Sequence, residues 1–242
     1  LTSVPSMLPS WSPDGQYIAF NKTDSAGIWL MKSEGSDIKQ ISTLGSSPTW
    51  SPDGNRIAFV SSQKGKDSLC LMSRQGDMLF NCLSDVNGYV YNPKWSPNNA
   101  QITYTVFEDF DTGKARIYVT NIDNSKTVRL TNVFSRAPTW SPSGSQIAFI
   151  CAMDNTSGVC VMNNDCTNIK MIVRSGFYAV NSNSRQISWS PDGEYIVYST
   201  KNPFCLLCNL TGLLWIAKAD GSYQSQLTYG SISMAPAWRP TK

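Results

Sequence analysis

Pro48-Thr49-Trp50-Ser51-Pro52-Asp53-Gly54-Asn55-Arg56-Ile57-Ala58-Phe59 decides the fold, because it is one copy of a phrase that recurs along the whole 242-residue chain. Its tryptophan returns as Trp11, Trp50, Trp95, Trp140, Trp189 and Trp238, at intervals of 39, 45, 45, 49 and 49 residues. A period of roughly 40 to 50 residues that holds several short strands marks the blades of a β-propeller.

Working outward from the tryptophan, each period contains four strand signals, a to d. Strand a carries the Trp and ends in a polar turn: Asp14-Gly15, Asp53-Gly54, Asn98-Asn99, Ser143-Gly144 or Asp192-Gly193. Asp, Asn and Gly suit a tight hairpin because they tolerate positive φ or bond their own backbone. Strand b follows as Ile18-Ala19-Phe20, Ile57-Ala58-Phe59, Ile102-Thr103-Tyr104, Ile147-Ala148-Phe149 and Ile196-Val197-Tyr198. Such β-branched and aromatic runs fit strands buried on both faces. Strand c contains Ile28-Trp29, Leu69-Cys70, Ile117-Tyr118, Val159-Cys160 and Leu214-Trp215, and a second turn follows at Gly35, Gly76, Asn124, Cys166 and Gly221. Strand d ends in a hydrophobic residue and a hydroxyl, as in Ile41-Ser42, Leu83-Ser84, Leu130-Thr131 and Leu227-Thr228.

The fold class is therefore all-β, a β-propeller of four-stranded antiparallel blades in one domain over residues 1–242. The repeats run approximately 3–44, 45–86, 87–133, 134–180 and 181–229, with a partial copy at 230–242. Six copies of strand a accompany five of b, c and d. Ser6-Met7-x-Pro9-x-Trp11 recurs as Ser233-Met234-x-Pro236-x-Trp238. This favours five blades plus a surplus terminal strand, with a six-bladed ring completed from outside as the alternative. A tryptophan at the same place in every period is first a packing residue between blades, and the Asp of each Pro-Asp-Gly is first a turn residue.

These residues resemble the TolB-like propeller repeat family, whose pattern is Pro-x-Trp-Ser-Pro-Asp-Gly, Ile-Ala-Phe, an Ile-Tyr-Val-Met strand and Leu-Thr. The match spans Leu1 to Pro240. Departures at Asn98-Asn99, Ser143-Gly144 and Arg239-Pro240 bring in no catalytic group. The resemblance implies a rigid platform that docks other proteins; a peptidase relative would need an attached hydrolase domain with a Gly-x-Ser-x-Gly elbow and a histidine. Leu1-Thr2 reads as the end of a repeat, so any leader or further domain is expected to have been removed or to lie outside this sequence.

Composition narrows the chemistry. Histidine is absent, which excludes Ser-His-Asp, Cys-His and His-ligated metal mechanisms within this chain. Twenty Lys and Arg against 17 Asp and Glu is too small and too scattered a surplus for a nucleic-acid surface. No apolar run approaches the ~20 residues of a membrane helix, so no direct membrane insertion is expected. No cofactor is implied. The strand-a copies carry no Asp or Glu before the Trp, so a glycosidase would rest on the loop carboxylates Glu108, Asp109 and Asp111.

In an antiparallel blade the a–b and c–d turns emerge at one end, and the b–c loops and d-to-a connections at the other. The second end is irregular, with a b–c loop at 107–111, connections at 86–92 and 174–185, and an insertion at 202–212. Variable loops on a repeating scaffold are where binding is expected. The candidate partner-binding residues there are Phe107, Phe110, Phe177, Tyr178, Phe204, Leu206 and Leu207, with Trp238 as the joint to a partner.

Seven cysteines in a metal-free all-β pattern point to disulfides. Cys70 and Cys82 lie symmetrically about Gly76. Cys151 ends a strand b and Cys160 lies in the following strand c, and Cys205 and Cys208 could close a small loop. The bland alternative is buried free cysteine acting as a small hydrophobe. Cys166 replaces a turn glycine and is expected to be free or to pair with another molecule. Sequons at Asn21, Asn155 and Asn209 are candidate glycosylation sites, all in b–c segments. Cysteines and sequons together point to an extracytoplasmic protein, whether periplasmic, secreted or on the cell surface.

The leading expectation is a non-catalytic protein-binding propeller, either an adaptor or a subunit of a larger surface assembly. A homo-oligomer or larger assembly could form through the surplus strand or Cys166. The alternatives are a carbohydrate-binding or glycoside-processing propeller, or the propeller fragment of a larger enzyme.

Overall fold

A computed structural model describes residues 6–63, 66–77, 82–83, 86–109, 111–123, 125–175, 187–201 and 212–228. They contain 19 strands and no helix. The first sheet is β1 (Ser6–Trp11), β2 (Tyr17–Lys22), β3 (Ile28–Lys32) and β4 (Lys39–Ser42). The second holds β5 (Ser46–Trp50), β6 (Arg56–Gln63) and β7 (Lys66–Ser73), three strands among the described residues. The third is β8 (Tyr89–Trp95), β9 (Gln101–Asp109), β10 (Lys114–Asn121) and β11 (Thr127–Arg129). The fourth is β12 (Phe134–Trp140), β13 (Gln146–Met153), β14 (Thr156–Asn163) and β15 (Lys170–Ser175). The fifth is β16 (Ile187–Trp189), β17 (Tyr195–Lys201), β18 (Gly212–Lys218) and β19 (Gln224–Gln226). Every sheet is an antiparallel meander in chain order, which is the blade that the repeat predicts.

The chain forms two compact units, residues 1–114 with 118–129 and residues 115–117 with 130–242. In the first unit, Ala19, Ile28 and Leu30 of the first sheet pack with Trp50, Ile57, Phe59, Cys70 and Met72 of the second. Ala58, Val60, Leu69 and Leu71 of the second sheet pack in turn with Trp95, Ile102, Tyr104 and Val106 of the third. In the second unit, Ala148, Ile150, Val159 and Val161 pack with Trp189, Ile196, Tyr198 and Ala217. Within each unit, an apolar face of one sheet is thus buried under the tryptophan-bearing face of the next.

That packing is the role of the repeated tryptophan. Trp50, Trp95, Trp140 and Trp189 are only 5 to 8% exposed, whereas Trp11 is 56% exposed. The Trp95 indole donates to the Thr49 carbonyl at 3.1 Å, and Trp189 donates to Thr139 at 3.1 Å, so the ring is fixed by a hydrogen bond as well as by contact.

Two local features depart from the strand reading. Strand a is bulged in four copies, and the residue at the bulge has positive φ: Leu8 (55°), Ser47 (54°), Asn92 (52°) and Ala137 (53°). One left-handed residue adds the extra residue of a bulge and bends the strand. The Leu-Thr endings are also not strand in the third and fifth sheets, since β11 stops at Arg129 and β19 at Gln226. There the hydroxyl works as a cap. Thr131 Oγ1 accepts the Ile117 N–H at 3.0 Å, and Thr228 Oγ1 accepts the Leu214 N–H at 2.9 Å. Strand c therefore keeps its donors satisfied beyond the end of strand d.

Candidate functional site

The a–b end of every blade is closed on its own backbone. In the first copy Ser12 Oγ donates to Asp14 Oδ1 at 2.5 Å and accepts the Tyr17 N–H at 2.9 Å, while Asp14 Oδ1 also accepts the Gln16 N–H at 3.0 Å. Ser51 with Asp53 and Ser190 with Asp192 repeat the arrangement. Asn98 takes the place of the carboxylate in the third copy and the Ser143 hydroxyl in the fourth. The turn glycines sit at φ of 67° to 76°, with Asn99 at 61° in the one copy lacking glycine. Hydrogen bonds to the charged form hold Asp14 and Asp192 below the usual carboxylate range, that from the serine hydroxyl first. Burial pushes Asp53 up, but Ser51, the Asn55 N–H and Arg56 outweigh it and its pKa is also lowered. These carboxylates lock the turns they sit in.

At the opposite end two buried side chains join neighbouring blades. Asn21 donates through Nδ2 to the carbonyls of Gly27 at 2.7 Å and Gly45 at 3.2 Å, and its Oδ1 accepts the Ser47 N–H at 2.9 Å. Asn21 is 7% exposed. A glycan would take the place of one of the two Nδ2 hydrogens given to Gly27 and Gly45, on a buried side chain whose Oδ1 also ties β5 to β2 through Ser47. Asp67 Oδ2 similarly accepts the Val90 N–H at 2.8 Å and is bonded by the Ser62 hydroxyl, fixing the start of β8. A third joint lies at the a–b end, where the Arg74 guanidinium rests 4.2 Å from the Tyr17 ring and 3.7 Å from Asp14.

The third blade differs. Phe107, Glu108 and Asp109 belong to β9 itself, because β9 and β10 extend as a long hairpin in place of the loop expected at 107–111. Likewise residues 89–92 of the expected connection belong to β8. This extension pairs Tyr89 with Phe107 and sets Tyr91 edge-to-face on Phe107, with ring centroids 5.3 Å apart and planes at 84°. Tyr89 is 48% exposed. Three aromatic residues thus share one face at the b–c end of one sheet, two of them missed by the sequence reading. The alternation Tyr89-Val90-Tyr91, with Val90 buried, was the available signal.

The carboxylates that a glycosidase would need are placed for other work. Glu108 accepts the Tyr118 hydroxyl at 2.8 Å and lies 3.2 Å from Lys114 and 3.6 Å from Arg129. Burial, followed by the bond to Glu108, pushes the Tyr118 hydroxyl up to about 12. Asp109 Oδ1 accepts the N–H groups of Asp111 and Thr112 at 3.0 and 3.2 Å, and its pKa is lowered, by the Thr112 hydrogen bonds first. It is the turn acid of the β9–β10 hairpin. Among the described residues no group of three or more Cys, Asp or Glu is placed to hold a metal ion.

Cys70 is disulfide-bonded to Cys82 and Cys151 to Cys160. Cys166 is a free thiol at φ 68°, in the left-handed position that Gly35, Gly76 and Gly221 fill in their copies; burial, then Asp165, raises its pKa. Asn155 shares with Asp154 the positive-φ turn of the β13–β14 hairpin and is exposed, a geometry open to a glycan. The remaining candidates, Phe110, Phe177, Tyr178, Phe204, Leu206, Leu207, Trp238, Cys205, Cys208 and Asn209, lie outside the described residues.

Comparison with known proteins matches residues 79–203 to the TolB beta propeller domain. Over 70 residues the chain is 31% identical to the Tol-Pal system protein TolB of Alcanivorax borkumensis, covering 28% of this chain and 16% of that protein. The structure of TolB from Acinetobacter baumannii superposes with a TM-score of 0.77 at 22% identity, over 97% of this chain and 57% of that one. The chain thus spans about half the length of that TolB and a smaller part of the Alcanivorax protein. An oligogalacturonate lyase from Vibrio parahaemolyticus shares the fold, with a TM-score of 0.69 at 12% identity, covering 91% of this chain and 64% of that one. With an antiparallel meander in each of five periods, tryptophans buried in four of them and a family match over more than half its length, the chain belongs to the TolB beta propeller domain family.

Proposed function

We propose that this chain is a non-catalytic, extracytoplasmic propeller that binds a protein partner at the b–c end of its blades, as an adaptor or as a subunit of a larger assembly. The observation that carries the reading is the ring group Tyr89, Tyr91 and Phe107 at that end of the third sheet, with Tyr89 half-exposed. Aromatic residues on a rigid element are the common anchors of protein interfaces, since they bury much area at low conformational cost. Family membership supports it, because the Alcanivorax relative is a Tol-Pal system protein. Two disulfides support a compartment outside the cytoplasm. A carbohydrate-acting alternative has the shared fold of the oligogalacturonate lyase behind it, but fold alone carries no activity. Its candidate carboxylates are committed to an ion-pair group at Glu108 and a turn at Asp109.

The test is a Tyr89→Ser, Phe107→Ser variant, assayed by affinity capture from extracts of the source cells against the unaltered chain. The reading requires that at least one specific partner is lost while the melting temperature of the variant stays within a few degrees. Capture of the same partners in the same amounts would defeat it.

A further inference from the structure

We propose that the two disulfides fall into different redox classes: Cys70–Cys82 is a reducible staple on the outer edge of the second blade, and Cys151–Cys160 is a sequestered crosslink. The distinction rests on where each cystine sits. Cys151 and Cys160 are both 0% exposed, and they link β13 to β14, whose ladder runs unbroken from Gln146–Asn163 to Met153–Thr156. β12 and β15 flank that pair on either side. A reductant reaches this cystine only after the centre of the blade opens.

The other cystine has one protected half and one open half. Cys70 is 0% exposed within β7, while Cys82 is exposed. After β7 the chain returns through Cys82 and Leu83, and Leu83 donates its N–H to the Leu69 carbonyl at 2.6 Å. Leu130 makes the same contact with the Ile117 carbonyl at 2.7 Å, and Leu227 with the Leu214 carbonyl at 2.8 Å. In the second blade the cystine adds a covalent tie at Cys82, next to the buried Leu83, which packs with Val86, Leu69, Leu71 and Val90.

Thiol–disulfide exchange requires a thiolate to reach one sulfur of the pair. A thiolate of a dithiol reductant attacks the sulfur of Cys82, forms a mixed disulfide and expels Cys70 as a thiolate, which takes up a proton. The second thiol of the reductant, as its thiolate, then attacks the reductant's own sulfur in the mixed disulfide. Cys82 leaves as a thiolate and the reductant as a cyclic disulfide, so two electrons pass to the cystine. The Cys70 thiol is left among Ala19, Ile28, Trp50, Phe59 and Met72, an apolar setting that disfavours its thiolate. Closure therefore depends on the exposed Cys82. Once the bond is cut, Leu83 and Val86 are held by packing, and Val90 by packing and by its hydrogen bond to Asp67.

The experiment is a dithiothreitol time course on the native chain, quenched with acid, alkylated with iodoacetamide in denaturant and read by peptide mass spectrometry, with deuterium exchange followed in parallel. Cys70 and Cys82 should be alkylated at least ~10-fold faster than Cys151 and Cys160. Exchange should rise over 82–90 before it rises in β13 or β14. Equal alkylation rates for the two pairs, or earlier labelling of Cys151 and Cys160, would overturn the proposal. A Cys70→Ser, Cys82→Ser variant gives an independent check, since it should fold, show the raised exchange over 82–90 from the start, and leave Cys151 and Cys160 as slow to label as before. Early labelling of those two in the variant would also overturn the assignment.

Discussion

The two ends of the blades use the same backbone for opposite purposes. At the a–b end, five copies of one turn solve one problem: a serine hydroxyl and an Asp, Asn or Ser side chain satisfy the hairpin's own N–H groups, and Trp50, Trp95 and Trp189 seal the sheet that precedes theirs. At the b–c end the first three blades differ. The first uses Asn21 at the end of β2, the second Asp67 at the start of β7, and the third extends β9 and β10 into a hairpin that presents Tyr89 and Phe107. The difference shows that the repeated side chains are consumed in making the scaffold. The side chains that vary serve either a joint between two particular blades or the surface.

If that division is right, substitutions at the a–b end should cost stability and leave binding intact. Trp95→Ala removes a buried ring with its hydrogen bond to Thr49, and should destabilise the chain by about 3–5 kcal/mol in denaturant unfolding. Trp11→Ala, at a 56% exposed ring, should cost under about 1 kcal/mol. Equal losses at the two positions would break the packing account. Asn21→Ala sharpens the other half, because it lies at the b–c end and yet behaves as scaffold. It leaves the Ser47 N–H and two carbonyls short of a partner, and should cost about 2–3 kcal/mol. Ser51→Ala, at a partly solvated turn, should cost about 1 kcal/mol.

The turn acids add a pH signature. Asp14, Asp53 and Asp192 have folded-state pKa values below their unfolded ones. Their contribution is therefore fully present above the unfolded value near 4 and is lost as pH falls through the depressed folded value. An Asp14→Asn, Asp53→Asn, Asp192→Asn variant should show a shallower acid limb below about pH 4, while its stability at neutral pH falls only modestly. An unchanged acid limb would remove these turns from the account. The smallest effect is expected at Cys166→Gly, which relieves a left-handed non-glycine residue and should raise stability by about 0.5 kcal/mol.

The legibility of the sequence follows the same division. The blade, its four strands and the positive-φ turns were readable because each depends on residues within about five positions of one another, and the period repeats them. Asn21 and Asp67 were not readable, because their partners Ser47 and Val90 lie 26 and 23 residues away in another blade. The local sequon at Asn21 says nothing of that burial. The strand-a bulge is invisible at Leu8, Ser47 and Ala137, whose side chains carry no preference for positive φ; packing imposes it. The aromatic group was half readable. Phe107 stood out, while Tyr89 and Tyr91 were hidden in a stretch assigned to a connection.

The central claim is that the b–c end binds and the a–b end builds. A photo-reactive phenylalanine analogue introduced at Tyr89, and separately at the exposed Glu194 beside the fifth a–b turn, tests it most directly in the native host. The account predicts a discrete covalent adduct to another protein from position 89 and none from position 194. An adduct from position 194 alone would contradict it.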